Sequence, residues 1–505
     1  MTRSLWRAVA LWALPFLLLG QNLEEFEKRV TEFTLDNGMH FIVLQRDQAP
    51  VVSFHAHVDA GAVNDPGGKT GLAHMFEHMI GKGTTRVGTK NWAEEEKALA
   101  EVEAAYDRLE AERRKGAAAD AGRVKQLAAA LEEAIAKANS YVEPNAFPRV
   151  IEENGGVGFN AGTGFDSTQY FYSLPANRLE LWFVLQSEWF RRPVYREFYK
   201  ERDVVREERR MRTESSPFGK LLEAFMSTAF AAFPYRTITG WASEIENLRA
   251  TDAAKFQETY YVPGNITIAI AGDVDPARIR KLAEKYYGRL PAGPMPPKLV
   301  TVEPEQWGEK RVQVESPSQP YLLVGYKRPG QDHPDDPVFD VISGILASGR
   351  TGILYKEMVR DKKIALGAVS AATFPGSKYP TLFILYSVPN MGHTVEENEQ
   401  AFNEIIERLK KEMVDAETLQ RVKTKVRAGV IRQLASNSGL ASSLAAYHVN
   451  YGDWRMLFKA IDVIDAVTAG DVQRVMRQYF QPRYRTVAYH VTPAQEENGD
   501  QGGAE

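Results

Sequence analysis

The sequence of 505 residues contains no cysteine. This absence excludes disulfide bonds, thiol nucleophiles and every zinc site that is built on thiolates. Any metal bound by this chain must therefore be held by histidine and carboxylate side chains. The sequence offers nine histidines and 66 acidic residues for such a site.

An excess of basic residues is also missing. The 62 lysines and arginines are balanced by the 66 acidic residues, which gives a formal net charge of −4. Nucleic-acid-binding domains usually carry a basic surface and one of a small set of motifs. The sequence has neither feature, so we expect no nucleic-acid partner. Its 44% apolar content is that of an ordinary globular protein, and its length predicts at least two domains.

Long hydrophobic runs are absent except at the N-terminus. Arg3 and Arg7 begin a segment whose residues 8–19 are almost entirely apolar. Such a run is short for a membrane span but typical of a secretory signal. We therefore expect residues 1–20 to be a signal peptide and the mature chain to be exported, in a bacterial periplasm, without a transmembrane span. An uncleaved anchor is the alternative. At the other end, residues 494–505 are polar and predicted to be disordered.

Two stretches with the same layout indicate an internal duplication. Residues 260–269 and 479–488 each combine the end of a helix, a proline and a β-branched strand. A proline-rich linker, residues 289–310, lies between them. We therefore predict two tandem homologous domains, residues 26–288 and 311–493.

Each half alternates predicted strands with predicted helices. The strands cover residues 33–44 (a hairpin), 51–58, 168–174 and 266–271. The helices cover residues 177–190, 194–212, 276–287, 396–412 and 416–434.

Residues 92–141 differ in composition from their surroundings and are predicted to be an inserted helical hairpin. Apolar side chains recur there at steps of three and four, in two runs: Leu99, Val102, Tyr106 and Leu109, then Val124, Leu127, Leu131 and Ile135. This periodicity predicts two helices that pack on each other. Because the segment contains no histidine, we expect it to lie outside any metal site, and we expect its removal to leave metal binding intact.

The stretch His74-Met75-Phe76-Glu77-His78 carries the strongest indication of chemistry. On a helix, residues four apart lie about 40° apart around the axis, so His74 and His78 project side by side with Glu77 next to them. An apolar stripe occupies the opposite face: Leu72, Met75, Phe76, Met79 and Ile80. Two imidazoles can hold one Zn²⁺ and leave a carboxylate beside the water that the metal activates. The alternative is an ordinary solvated helix face.

A catalytic zinc site needs a third protein ligand. The predicted helix at residues 194–212 offers Glu201 and Glu208, which are seven residues apart and share a face. One of them could bind the metal while the other orients a ligand. A helix so rich in charge is more often simply solvated, and the spacing alone does not choose between these interpretations.

The H-x-x-E-H helix followed by E-R-x-x-V-x-x-E resembles the inverzincin zinc peptidases, the family of pitrilysin, insulin-degrading enzyme and the mitochondrial processing peptidase. The resemblance implies one Zn²⁺ per chain held by His74, His78 and Glu208, with Glu77 as the general base and Glu201 as a supporting catalytic carboxylate. Glu208 follows His78 by 130 residues, and without the insertion this interval falls to 80, close to the family's. The family's fold implies two α+β domains, each a mostly antiparallel sheet with helices packed on one face.

Two further segments bear on substrate binding. Residues 155–163 are similar to the family's glycine-led N-A-x-T strand, whose edge pairs with the substrate backbone, and this likeness implies that Asn160 and Ala161 bind substrate. A plain glycine-rich hairpin is the alternative. The later domain of active members commonly offers an arginine and, seven residues on, a tyrosine that face the zinc. Here Arg360 is kept as a substrate-binding candidate, but Gly367 stands at the tyrosine position.

These features predict a zinc metalloendopeptidase that hydrolyses unfolded peptides or short proteins. Two other functions stay open: a non-catalytic or partner-dependent scaffold subunit of a two-chain peptidase, and a zinc hydrolase of a non-peptide substrate. Because the arginine–tyrosine pair is incomplete, we expect a dimer. The family's two-chain enzymes favour a related partner that lacks the zinc motif over a second copy of this chain.

Overall fold

The computed structural model describes residues 23–491, so the predicted signal peptide and the predicted disordered tail lie outside the described residues. The first half of the chain forms a six-stranded sheet with the order β1-β2-β6-β3-β5-β4. Its strands are β1 Val30–Thr34, β2 His40–Gln45, β3 Val51–Val58, β4 Val157–Thr163, β5 Thr168–Pro175 and β6 Ile266–Gly272. All neighbours are antiparallel except β2 and β6.

The second half forms a five-stranded sheet with the order β7-β11-β8-β10-β9. Its strands are β7 Lys310–Glu315, β8 Leu322–Arg328, β9 Ala365–Phe374, β10 Thr381–Pro389 and β11 Arg485–Val491. Here too a single neighbouring pair, β7 and β11, is parallel. Apart from the extra edge strand β1, the two sheets have the same order and the same directions, which confirms the prediction of two tandem α+β units.

Helices cover both sheets. Those of the first half are α1 Leu23–Glu27, α2 Leu72–His78, α3 Trp92–Arg113, α4 Ala121–Ser140, α5 Ala146–Glu153, α6 Leu179–Arg191, α7 Phe198–Arg209, α8 Pro217–Ala229, α9 Ala242–Ile245, α10 Ala250–Tyr260 and α11 Pro276–Tyr286. Those of the second half are α12 Asp336–Ala347, α13 Val395–Lys411, α14 Ala416–Gln433, α15 Asn437–Tyr451, α16 Met456–Ala466 and α17 Ala469–Tyr479. Within residues 23–491, none of these helices is both long and apolar enough to cross a bilayer.

The two halves exchange one helix each. Helix α15 of the second half packs its Leu440 and Leu444 against Ile42 and Ala269 of the first sheet. Conversely, α8 of the first half contributes to a buried cluster with the second sheet, whose members include Leu221, Phe225, Leu323, Leu382 and Ala488. Each sheet therefore has its own helices on one face and a helix of the other half on its opposite face, and the halves enclose a cleft.

The helix predicted at residues 194–212 begins later than expected. It starts at Phe198 because Glu197 adopts a left-handed backbone with φ of 55° and Arg196 turns into the protein interior. At its other end the α-helix stops at Arg209, and a π-helical turn, Arg210–Glu214, follows. The register of Glu201 and Glu208 on α7 is unaffected, because both lie inside the regular part of the helix.

Candidate metal centre

Helix α2 presents the H-x-x-E-H motif to the cleft. The carboxylate of Asp65 accepts hydrogen bonds from the free backbone N–H groups of Gly71 (2.7 Å) and Ala73 (2.8 Å) at the start of the helix. The apolar stripe of α2 is buried in the main core of the first half, where the ring of Phe76 packs edge-on against Tyr261. Burial of this stripe turns His74, Glu77 and His78 toward the cleft.

Three donor groups meet there. The Nε2 atoms of His74 and His78 lie 3.3 Å apart. Glu208 of α7 reaches both, with its Oε1 at 3.6 Å from His74 Nε2 and its Oε2 at 3.5 Å from His78 Nε2. Two ligands at about 2.0–2.2 Å from a tetrahedral Zn²⁺ are separated by roughly 3.3–3.6 Å. Each of these three pair distances therefore agrees with the separation expected between two ligands of one zinc ion.

The chemistry of the donors also fits a cation. When both imidazoles are unprotonated at Nε2, the two facing lone pairs repel, and a metal ion between them removes this repulsion. Burial, together with the nearby His78 and Arg212, lowers the pKa of His74 to about 3. The imidazole of His74 therefore stays neutral, which is the form that binds metals.

Glu201 contacts the other ring nitrogen of His78. Its Oε1 accepts a hydrogen bond from Nδ1 of His78 at 2.9 Å, and its Oε2 is 2.5 Å from Nζ of Lys82. Burial alone would raise the pKa of Glu201, but its bonds to His78 and Lys82 outweigh burial and lower the pKa to about 2. A carboxylate in this position fixes the ring of His78 and leaves its Nε2 free to bind a metal.

The remaining glutamate of the α7 segment points elsewhere. Glu207 is exposed and pairs with Arg210 at 2.8 Å. Glu208, by contrast, is held in the cleft by Arg212, whose guanidinium lies 2.6 Å from its Oε1. Arg212 follows Glu208 by four residues, so helical periodicity alone could have placed it at the site. Lys82 follows His78 by the same interval of four residues, but its contact with α7 depends on tertiary packing.

Glu77 lies in the same cleft. Burial raises the pKa of its carboxyl, and hydrogen bonds from Thr163 oppose this rise only in part. A raised pKa is suited to a group that accepts a proton near neutral pH. The cleft that His74, Glu77 and His78 line has a volume of about 800 Å³, and the second half contributes Phe374 and Pro375 to its wall.

The predicted substrate-binding residues divide into two groups. Asn160 and Ala161 line the cleft on β4, which is the edge strand of the first sheet. Arg360 is not among the residues that line this cleft, and its role in substrate binding stays a prediction. It occupies the end of a π-helical turn, Tyr355–Asp361, where its guanidinium is exposed and pairs with Asp361 at 2.7 Å. Gly367 lies on β9, with open space beside its Cα.

Comparison with known proteins places this geometry in a family. The family model described as "Insulinase (Peptidase family M16)" matches residues 41–112, which include the H-x-x-E-H helix. The model described as "Peptidase M16 inactive domain" matches residues 247–426. The first match ends near the end of α3, the first helix of the hairpin.

Two relatives and one solved structure are similar to this chain over most of its length. The chain is 27% identical to the zinc protease PqqE of Helicobacter pylori over 96% of this chain and 98% of the relative. It is 22% identical to a probable mitochondrial-processing peptidase subunit beta of Arabidopsis thaliana, over 93% of this chain and 80% of the relative. The crystal structure of a protease from Helicobacter pylori superimposes with a TM-score of 0.75 at 25% identity, over 92% of this chain and 99% of that one.

The family models match both halves of the chain, the relatives extend over nearly its full length, and the paired sheets are shared with a solved structure. The chain therefore belongs to the M16 family of peptidases.

Proposed function

We propose that this chain is a zinc-dependent metallopeptidase that binds one Zn²⁺ through His74, His78 and Glu208. The observation that carries the proposal is the meeting of three side chains from two helices in one cleft: the Nε2 atoms of His74 and His78 lie 3.3 Å apart, and each lies 3.5–3.6 Å from a different carboxylate oxygen of Glu208. Glu201 supports the site by holding Nδ1 of His78. The relatives named zinc proteases agree with this assignment.

The chain's own residues supply the acid–base chemistry. A bound Zn²⁺ lowers the pKa of a coordinated water and polarises the carbonyl of the scissile bond. Glu77 accepts the proton of the attacking water on its carboxylate and then donates that proton to the leaving amine. Thr163 of β4 lines the cleft with Glu77, and its contact with the carboxylate lowers the pKa of Glu77. These groups lie on α2 and β4, two elements that the core holds rigidly.

We propose that the substrate is an extended segment of an unfolded peptide or short protein. An exposed sheet edge binds such a segment through main-chain hydrogen bonds, with little dependence on its side chains. The edge strand β4 borders the cleft, and Asn160 and Ala161 stand on it beside the metal centre. A globular substrate would not fit a cleft of about 800 Å³ without unfolding.

We propose the following organisation of the chain into domains. Residues 26–288 form the zinc-binding peptidase domain, with residues 92–141 as an insertion, and residues 289–310 are the linker to residues 311–493. The apolar N-terminal segment, residues 1–20, supports export of the chain as a signal peptide.

Metal content and peptide cleavage measured together test the function. Purified protein is expected to contain about one Zn²⁺ per chain and to cleave a quenched, unstructured peptide, because one complete donor set is present. His74→Ala is expected to lose both properties, whereas the matched variant His393→Ala, altered at a partly exposed histidine of the second half, should keep both. Zinc binding without peptide cleavage would favour a scaffold subunit or a hydrolase of another substrate.

A partner chain is expected to raise activity. Among the described residues that line the cleft there is no tyrosine, and Gly367 brings no hydroxyl. Loss of one hydrogen-bond donor to the developing oxyanion typically costs about 10²–10³ in rate. We therefore propose a dimer with a related chain that lacks the zinc motif and supplies this donor.

The partner proposal is tested by comparing the chain purified alone with material co-purified from its native source. We expect the specific activity of the co-purified material to be higher by the same factor of about 10²–10³. A homodimer with full activity would identify a second copy as the partner. Full activity in a partner-free monomer would contradict the proposal.

A further inference from the structure

The inserted hairpin packs on the core of the peptidase domain and also forms a buried ion pair with it. Glu95, in the first turn of α3, is completely buried, and Arg196 is 1% exposed. Nε of Arg196 donates to Oε1 of Glu95 at 2.7 Å, and its NH2 donates to Oε2 at 3.2 Å. A buried arginine of this kind needs its counter-charge, because an unpaired charge in the interior is strongly unfavourable.

The same guanidinium also forms hydrogen bonds with the loop that follows the H-x-x-E-H motif. Arg196 donates to the backbone carbonyl oxygens of Lys82 (2.5 Å), Thr84 (2.9 Å) and Val87 (3.0 Å). With the two bonds to Glu95, all five N–H donors of the side chain are used. A Cβ atom on Gly88 would lie 2.7 Å from the guanidinium, so the backbone is in close contact with this side chain.

Lys82 connects this loop to the metal centre. Its Nζ lies 2.5 Å from Oε2 of Glu201 and 3.3 Å from Oε2 of Glu197, the residue next to Arg196. Glu201 in turn accepts the hydrogen bond from Nδ1 of His78. A continuous series of polar contacts therefore runs from α3 of the hairpin to one of the proposed metal ligands.

We propose that Glu95 and Arg196 are positioning residues for the metal centre, through which the hairpin sets the placement of Lys82, Glu201 and His78. The inference rests on the proposed zinc site and replaces the expectation that the hairpin can be removed without effect on metal binding. The hairpin does lie outside the cleft, but its Glu95 neutralises the arginine that shapes the loop beside the site.

The test compares Glu95→Gln with Glu96→Gln in the full chain. Glu96 is the next residue of the same helix, and it is half-exposed and paired with the half-exposed Arg192. Glu95→Gln is expected to weaken zinc binding about 10-fold in a chelator competition and to lower kcat by a similar factor, with KM within about twofold of the wild-type value. Glu96→Gln is expected to match the wild type in all three quantities.

A readout that needs no metal accompanies these measurements. In the zinc-free protein, the backbone amides of residues 83–88 are expected to exchange with solvent at least several-fold faster in Glu95→Gln, and unchanged in Glu96→Gln. A merely structural role would lower the melting temperature but leave the zinc affinity of the folded protein at its wild-type value. That result, or unchanged exchange in the loop, would overturn the inference.

Should Glu95→Gln fail to fold, Lys82→Met leaves the buried ion pair intact and removes the contact with Glu201. The same weakening of zinc binding is then expected, and wild-type affinity would overturn the inference. Absence of zinc binding in the wild type would refute the proposed function instead, and the loop exchange would still decide whether Glu95 holds the loop.

Discussion

Glu77→Gln is expected to retain its zinc and to lose peptidase turnover by a factor of about 10²–10⁴. The three proposed ligands are untouched, so metal binding should persist. The carboxamide of glutamine cannot accept the proton of the attacking water, and therefore the general base is lost. Because the substitution conserves the shape of the side chain, the packing around this position should be retained.

Zinc content and single-turnover peptide cleavage measure the two effects separately. Glu153→Gln, which alters an exposed glutamate at the end of α5, serves as the control and should behave as the wild type. Cleavage by Glu77→Gln at a substantial fraction of the wild-type rate would show that another group activates the water. Loss of zinc from this variant would indicate that Glu77 itself contributes to the metal site.

Glu208→Gln is expected to release the zinc. Its loss of zinc affinity should exceed that caused by substituting a residue, such as Glu201, that contacts a ligand but does not bind the metal. Glu208→Gln replaces an anionic ligand by a neutral amide and leaves Arg212, whose charge is paired with Glu208, beside the metal site. Glu201→Gln removes only a carboxylate that orients His78, so it should weaken zinc binding by about 10–100-fold without abolishing it.

Glu207→Gln is the matched control for both variants. It alters the neighbouring glutamate of the same helix, which is exposed and paired with Arg210. Its zinc affinity should equal that of the wild type in a competition against a chromophoric chelator. If Glu207→Gln were to empty the site while Glu208→Gln kept its metal, the assignment of the third ligand would be wrong.

Much of the fold was predictable from local patterns. The hydrophobic periodicity of α2 and the alternation in β3 and β5 are encoded within a few residues, and the duplicated layout correctly indicated two related sheets. The start of α7 was not predictable in this way. A helical pattern continues through Val194 and Arg196, but burial of the Arg196 guanidinium and the left-handed backbone of Glu197 displace the start to Phe198.

The candidate site, too, could be predicted only in part from the sequence. His74, Glu77 and His78 share one helix, so their proximity follows from the helical repeat alone. Glu201 and Glu208 share a face for the same reason, but spacing could not say which of them contacts Nε2 and which contacts Nδ1. That distinction depends on the crossing of α2 and α7. Nor could spacing predict the π-helical turn that holds Arg360, a residue that does not line the cleft.

By itself, the sequence determined that any metal site must use histidine and carboxylate ligands and that His74 and His78 share one face of a helix. These conclusions need only composition and the geometry of a single helix. The tertiary structure alone decided the separate positions of Glu201 and Glu208, the exchange of α8 and α15 between the sheets, and the burial of Glu95 against Arg196. Such contacts join residues that are far apart in the chain, and they form only when whole elements pack together to bury their apolar faces.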